Sequence, residues 1–135
     1  SLASGEYNVI LFADGVYTAE AATVLSSCID HCLAQSFGAF VLGAFPIVRI
    51  GAAEFCRNMR RRQFIADKLD SVKSEEVASK IEGFKGCDIT SAVEEGECIL
   101  IRWRRGPLDD VTDEGWSLEQ YFACAVGLAE VKADA

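Results

Sequence analysis

Glu97-Cys98-Ile99-Leu100-Ile101-Arg102-Trp103-Arg104 and, beyond a polar loop, Ser117-Leu118-Glu119-Gln120-Tyr121-Phe122-Ala123-Cys124-Ala125-Val126-Gly127-Leu128-Ala129-Glu130-Val131 are the most legible part of the chain. The first run is β-branched and aromatic with charged flanks, and it is closed by Gly106-Pro107, so it reads as a strand. Alternation places Ile99, Ile101 and Trp103 on one face and Cys98, Leu100 and Arg102 on the other, and only the first face is wholly apolar. The second run reads as a helix. Ser117 stands three residues before Gln120, which permits a capping box, and Trp116 is placed to staple against Tyr121. Leu118, Tyr121, Phe122, Ala125, Leu128 and Ala129 recur at helical spacing, so this stripe is expected to lie across the sheet face that carries Ile99, Ile101 and Trp103. Ala123, Ala125, Gly127 and Ala129 keep part of the helix slim enough for close backbone approach.

Working outward to the N-terminus, Tyr7 to Phe12 reads as a strand, Asp14-Gly15 as its turn and Thr18 as the cap of a following helix. A competing pattern exists, because Val9, Phe12, Val16, Val24, Cys28 and Cys32 fall on one helical stripe that would run through Gly15. Gly15 and the carboxylate of Glu20 on that stripe weigh against it without excluding it. Phe37 to Ile50 is almost continuously apolar, and Phe37 to Val48 within it reads as a buried-core segment. A central strand running through Pro46 is disfavoured, so a bend is expected there. Gly51 marks a boundary, and Ala52 to Leu69 is helical in character with Phe55, Cys56, Met59 and Ile65 inward and its arginines outward. Ser74, with Glu75 and Glu76, opens a further helix whose buried edge is Val77, Ile81 and Phe84. Cys87 to Val93 is expected to form a hairpin with the Cys98 strand.

A chain of 135 residues fits one domain, and half of its residues are hydrophobic, which argues against disorder. No apolar run approaches the roughly 20 residues needed to span a bilayer, and no signal peptide is visible. Six cysteines without regular spacing read as reduced thiols of a cytoplasmic protein. A formal charge of −8 argues against general nucleic-acid binding. The charge is segregated: Arg57, Arg60, Arg61 and Arg62 form one basic cluster and Arg102, Arg104 and Arg105 another, against an acidic run of Asp109, Asp110, Asp113 and Glu114. Segregated patches suit a protein partner, and Arg57, Arg60, Arg61, Arg62, Arg104 and Arg105 are the candidate partner-binding residues. The competing account is a set of solvated faces with weak local ion pairs.

Catalytic patterns do not stand out. Phosphate loops, dinucleotide fingerprints, zinc-protease pairs and nucleophile elbows are all missing, and a single histidine leaves little material for a serine triad. Cys28, His31 and Cys32 form the one metal-like cluster at helical spacing, although buried thiols with a marginal histidine account for it better. The Asp109 to Glu114 carboxylates lack the spacing of a calcium loop. No cofactor is expected.

From Ile50 to Val131 the order of features resembles the core subunits of the transport protein particle (TRAPP) vesicle-tethering family. The resemblance is carried by Ile50-Gly51 opening a helix, by Val77-Ala78-Ser79-Lys80-Ile81-Glu82-Gly83-Phe84-Lys85, by Gly106-Pro107-Leu108-Asp109-Asp110, and by Tyr121 to Ala129. It implies an α+β fold of long helices packed on a twisted antiparallel sheet, and paired subunits in a homo- or hetero-oligomer. The implied role is a non-catalytic scaffold or adaptor, peripheral to endomembranes, in an assembly that promotes nucleotide exchange on a small GTPase. The family's acylated cysteine falls near Leu69 here, so acylation is not carried over. A second resemblance, from Val9-Ile10-Leu11-Phe12-Ala13-Asp14-Gly15-Val16-Tyr17 and the helix after it, is to small α/β sulfur-relay proteins, which would make a cysteine a persulfide carrier. A third reading is a free-standing ligand-binding domain with Phe37 to Val48 lining its pocket.

Overall fold

The structure is a computed structural model that describes residues 4–71, 98–106 and 118–134. Within them the chain runs β1 (Val9–Ala13), α1 (Ala19–Cys32), β2 (Phe40–Pro46), α2 (Ala52–Arg61), β3 (Phe64–Ser71), β4 (Cys98–Arg105) and α3 (Leu118–Asp134). The four strands form one sheet in the order β1-β2-β4-β3.

Strand, turn and capped helix at the N-terminus form as the local chemistry asks. Asp14 and Gly15 adopt φ of 65° and 98°, which turns the chain out of β1, and the Thr18 hydroxyl accepts the Ala21 N–H at 3.0 Å to start α1. The single-helix alternative does not occur. α1 buries Ala22, Ser26, Ile29 and Cys32, whereas Val24 and Cys28 of that alternative stripe are exposed. β2 follows in parallel beside β1, with Val9 opposite Phe40 and Ala13 opposite Ala44, as a strand–helix–strand crossover requires. The sheet is therefore mixed, where the tethering-family resemblance implied a wholly antiparallel one. β2 is central and stops at Pro46, the last position at which the missing donor can be tolerated, and the Arg49 N–H then closes a turn on the Pro46 carbonyl at 3.1 Å.

Gly51 begins α2 for a steric reason: a Cβ there would run into the carbonyl oxygens of Val16 and Thr18. Its N–H donates to the Val16 carbonyl at 2.9 Å, which holds the start of α2 against the loop before α1. α2 is shorter than expected. It is a 10-residue helix, and residues 64–71 of the stretch read as helical to Leu69 form β3 instead. The chain leaves the helix where Gln63 takes a φ of 66°, after the Arg62 N–H has closed on the Asn58 and Met59 carbonyls. Burial of Phe64 against the sheet then favours extension over another helical turn. β4 lies between β2 and β3, antiparallel to both, and its paired residues run from Cys98 opposite Pro46 to Arg105 opposite Phe64. Both of its edges are thereby used over the described residues. The helix expected from Ser74, the strand expected over 87–93, the 107–116 loop and the Ser117 cap lie outside the described residues.

All three described helices cover the same face of the sheet. Ile99, Ile101 and Trp103 are buried on it as the alternation requires, joined by Val41 and Phe45 of β2 and by Leu118, Tyr121, Phe122 and Ala125 of α3. A series of rings ties the layers together. Phe12 stands 5.3 Å edge-on to Phe55, Phe55 5.9 Å from Trp103, and Phe45 5.2 Å from Phe122. Gly43 makes room for this series, because a Cβ there would occupy the ring of its neighbour Phe12. The described elements share one hydrophobic core and an α+β composition, with helices of 14, 10 and 17 residues. Among the described residues no helix is long and apolar enough to cross a membrane.

Candidate partner-binding site

The register of the sheet builds, residue by residue, the face that no described helix covers. Val9, Phe40 and Arg104 stand side by side across β1, β2 and β4; in the next inward-outward repeat Leu11, Leu42 and Arg102 do the same; Ala13, Ala44 and Leu100 follow. These are the positions that alternate with the buried ones, and they are half-buried or exposed, with Leu11 69 % exposed and Val9 47 %. The face is thus apolar over β1 and β2, while β4 adds Leu100 and two arginines, Arg102 and Arg104. Arg102 and Arg104 are supported in place by contacts of their own.

At the Arg104 end of this face the loop before β2 rises to form a cleft of about 700 Å³, lined by Gln35, Ser36, Phe37, Gly38, Ala39, Phe40, Arg102, Arg104 and Arg105. Among the described residues that line it there is no carboxylate, in a chain whose formal charge is −8. Phe37 is fully exposed at its mouth, which corrects the expectation of a buried segment from residue 37 onward: the Ser36-Phe37-Gly38 turn, with Gly38 at φ 97°, precedes the strand. A second hollow of about 420 Å³, lined by Gln35, Arg62, Gln63, Arg105 and Gly106, adjoins it through shared residues.

The two arginine clusters of the sequence meet at Asp30, near the C-terminal end of α1. Arg62 Nη1 donates to Asp30 Oδ2 at 2.9 Å and Arg105 Nη1 to Oδ1 at 2.6 Å. The other Arg105 amino group donates to the carbonyls of Asp30 and Leu33 at 2.6 and 2.9 Å, satisfying acceptors that the helix end leaves open. The same guanidinium lies 4.8 Å over the Phe64 ring. Burial alone would raise the Asp30 pKa, but the hydrogen bonds from Arg105 and Arg62, with their charges, outweigh it and hold the carboxyl below its usual value.

Of the candidate residues, Arg104, Arg105 and Arg62 come together around the cleft and the adjoining hollow. Arg57, Arg60 and Arg61 do not line either one. Arg57 pairs with Glu54 one turn back, and Arg60 pairs with Glu119 of α3 at 2.6 Å, so both hold helices; Arg61 is exposed. Arg102 was read as part of the second basic cluster but not as a partner-binding residue, and Phe37 only as the first residue of the apolar segment that would line a ligand pocket. The signal for Arg102 was its place on the strand face opposite Ile101 and Trp103, and for Phe37 its position in a Ser-Phe-Gly turn.

The cysteine cluster is divided by the helix surface. Cys32 is buried, Cys28 and His31 are exposed, and among the described residues no group of three His, Cys, Asp or Glu is placed to hold a metal ion. Burial and the neighbouring Cys28 push the Cys32 thiol up, and burial, aided by the Glu119 charge, pushes Cys56 well up, the opposite of what a sulfur nucleophile requires. The acidic run from Asp109 to Glu114 lies outside the described residues.

Among the described residues, fold and site define an α+β arrangement with one face of the sheet covered by helices and an opposite face that no described helix covers, apolar over β1 and β2 with Arg102 and Arg104 on β4. Comparisons with protein-family models, with curated proteins and with solved structures each return no match.

Proposed function

We propose that this chain is a non-catalytic adaptor that binds a partner protein on the open face of its sheet. The observation that supports this reading is the row of exposed Leu11 and Val9 beside half-buried Leu42 and Phe40, bordered by Arg102 and Arg104. Fully solvating such a strip forgoes roughly 25 cal/mol for each Å² of apolar area that a partner would bury. Cationic residues at its margin favour one orientation of the partner over others. The test is affinity capture from the source cells with the wild type and with Leu11→Asp, followed by mass spectrometry. Specific proteins retained by the wild type and lost in the variant support the adaptor reading. An unchanged set with Leu11→Asp places the partner elsewhere and ends it.

A core subunit of a vesicle-tethering complex acting on a small GTPase is the narrower version of the same role. Its support is Gly51 opening α2 and the Tyr121 to Ala129 stretch forming a helix that packs on the core. Recovery of several similar-sized subunits together with a small GTPase is the outcome it requires. A second reading, a small-molecule-binding domain, draws on the cleft of about 700 Å³ lined in part by Phe37, Ala39 and Phe40, a volume in the range of small-ligand sites.

A further inference from the structure

We infer that Cys28 and Cys32, one turn apart at the end of α1, form a dithiol site for a trivalent arsenical, with the arsenic bridging the two sulfurs. The inference goes beyond the adaptor reading and does not depend on it. Spacing is the first observation that carries it. Residues i and i+4 of a helix have Cβ atoms about 5–6 Å apart, against roughly 3.5–4.5 Å across a disulfide. The two free thiols are therefore neighbours, yet a direct S–S bond would require the last turn of α1 to close up by about 1–2 Å. That turn is held where it is. The His31 and Cys32 carbonyls accept the Gly5 and Tyr7 N–H groups at 2.8 and 3.1 Å. Arg105 donates to the Asp30 and Leu33 carbonyls at 2.6 and 2.9 Å. A single atom set between the sulfurs reaches farther than an S–S bond, so it fits this spacing with the backbone left in place.

Charge selects the kind of atom. Cys32 is 2 % exposed and ends the helix, where the C-terminal carbonyls oppose negative charge. Burial and the hydrogen bond with Cys28 push its thiol up, in line with that setting. Two thiolates on a soft monovalent cation would keep one negative charge there, at a desolvation cost. A monosubstituted arsenous acid, R–As(OH)2, avoids it. Two As–S bonds form and two As–O bonds break, the thiol protons leave with the hydroxyl groups as two waters, and arsenic stays trivalent. The product is uncharged, and the step needs no oxidant or reductant. Cys28 is exposed, so it makes the first As–S bond, and Cys32 closes the ring by displacing the second hydroxyl. The organic substituent stays on the solvent side.

The probe is phenylarsine oxide, added to the reduced full chain under native conditions. Intact mass should show one phenylarsenic group retained after excess glutathione, with two thiols lost from a thiol titration, and peptide mapping should place the link on the segment that carries Cys28 and Cys32. A competing dithiol, 2,3-dimercaptopropanol, should remove the group. An adduct on exposed Cys124 alone, held by one sulfur, should be released by glutathione as well. Closing the ring is worth about a hundredfold or more in affinity, so Cys28→Ser should weaken the glutathione-resistant binding by that factor while Cys124→Ser leaves it unchanged. Position 28 is exposed, and thermal melting of Cys28→Ser checks that the fold is kept. A second variant, Ser27→Cys with Cys28→Ser, keeps the number of thiols but sets them five residues apart, on diverging sides of the helix, and should not recover tight binding. Release of all arsenical from the wild type by glutathione overturns the inference. A resistant adduct that persists in Cys28→Ser, or equally tight binding in the shifted variant, does the same.

Discussion

Asp30 is the residue at which the two arginine clusters are tied together. It accepts one arginine from the end of α2 and one from the end of β4, residues 32 and 75 positions away in sequence. Replacing it with alanine leaves two arginines without their shared acceptor in a setting where the Arg105 side chain is only 18 % exposed. Asp30→Ala is expected to cost about 1–2 kcal/mol, less than a fully buried pair because Asp30 and Arg62 still see solvent. Chemical denaturation of the two proteins measures it. The pH response has a definite sign. Asp30 and Asp14 both have folded-state pKa values below their usual 3.8; for Asp14 the Arg49 hydrogen bonds are the main cause. Such groups stabilise the protein above that pH, and the contribution is lost as pH falls through the lowered folded values. The melting temperature should therefore drop as pH goes below about 4, and less steeply in Asp30→Asn. A drop of equal slope in both proteins would assign the acid sensitivity to other carboxylates. Gly51 tests sterics in place of charge. Gly51→Ala forces a methyl into two carbonyl oxygens and is expected to destabilise by about 1–3 kcal/mol, despite alanine's better helix propensity.

At the scale of elements, α3 joins the layers through Phe122, which meets Phe45 of the central strand, and through Glu119, which pairs with Arg60 of α2. Phe122→Ala should lower stability by about 3–5 kcal/mol, and Leu118→Asp should destabilise as well, whereas Arg60→Ala should cost under about 1 kcal/mol because that pair is half in water. Urea unfolding curves would rank the three, and any other order would mean that α3 is held by charge more than by packing. The elements that were legible in the sequence are those whose signals are local. β4 and α3 show clean alternation and helical spacing, Thr18 caps α1, and Gly51 opens α2. β3 was hidden because Phe64-Ile65-Ala66 follows directly on a strong helix and only a left-handed Gln63 separates them. The parallel β1–β2 pairing and the insertion of β4 between β2 and β3 are long-range choices to which no local pattern refers. The site was half legible for the same reason: the arginines could be counted, but their convergence on Asp30 depends on strand order.

For the whole molecule, the described helices lie on one side of the sheet, so the proposed recognition surface is distinct from the buried core. The buried face carries the aromatic series, and the open face carries Val9, Leu11, Arg102 and Arg104. Leu11→Asp should therefore leave the melting temperature within about a degree or two of the wild type while abolishing partner capture, since isolated surface changes are usually within 0.5 kcal/mol. A large loss of stability would mean that this face is already covered within the molecule.

Strand order also bears on how the protein is made. Synthesis proceeds from the N-terminus, so β1 and β2, which pair directly across α1, leave the ribosome well before β4. β2 and β3 are not neighbours in the finished sheet: the strand that stands between them, β4, begins at residue 98. Until it emerges, the inner edge of β2 and one edge of β3 have unpaired backbone donors and acceptors next to Val41 and Phe45. A nascent chain paused in that interval is a target for chaperone capture or for edge-to-edge association with another nascent chain. Arrival of β4 ends the exposure by filling both edges at once, so the finished sheet is expected to close late and cooperatively during biosynthesis.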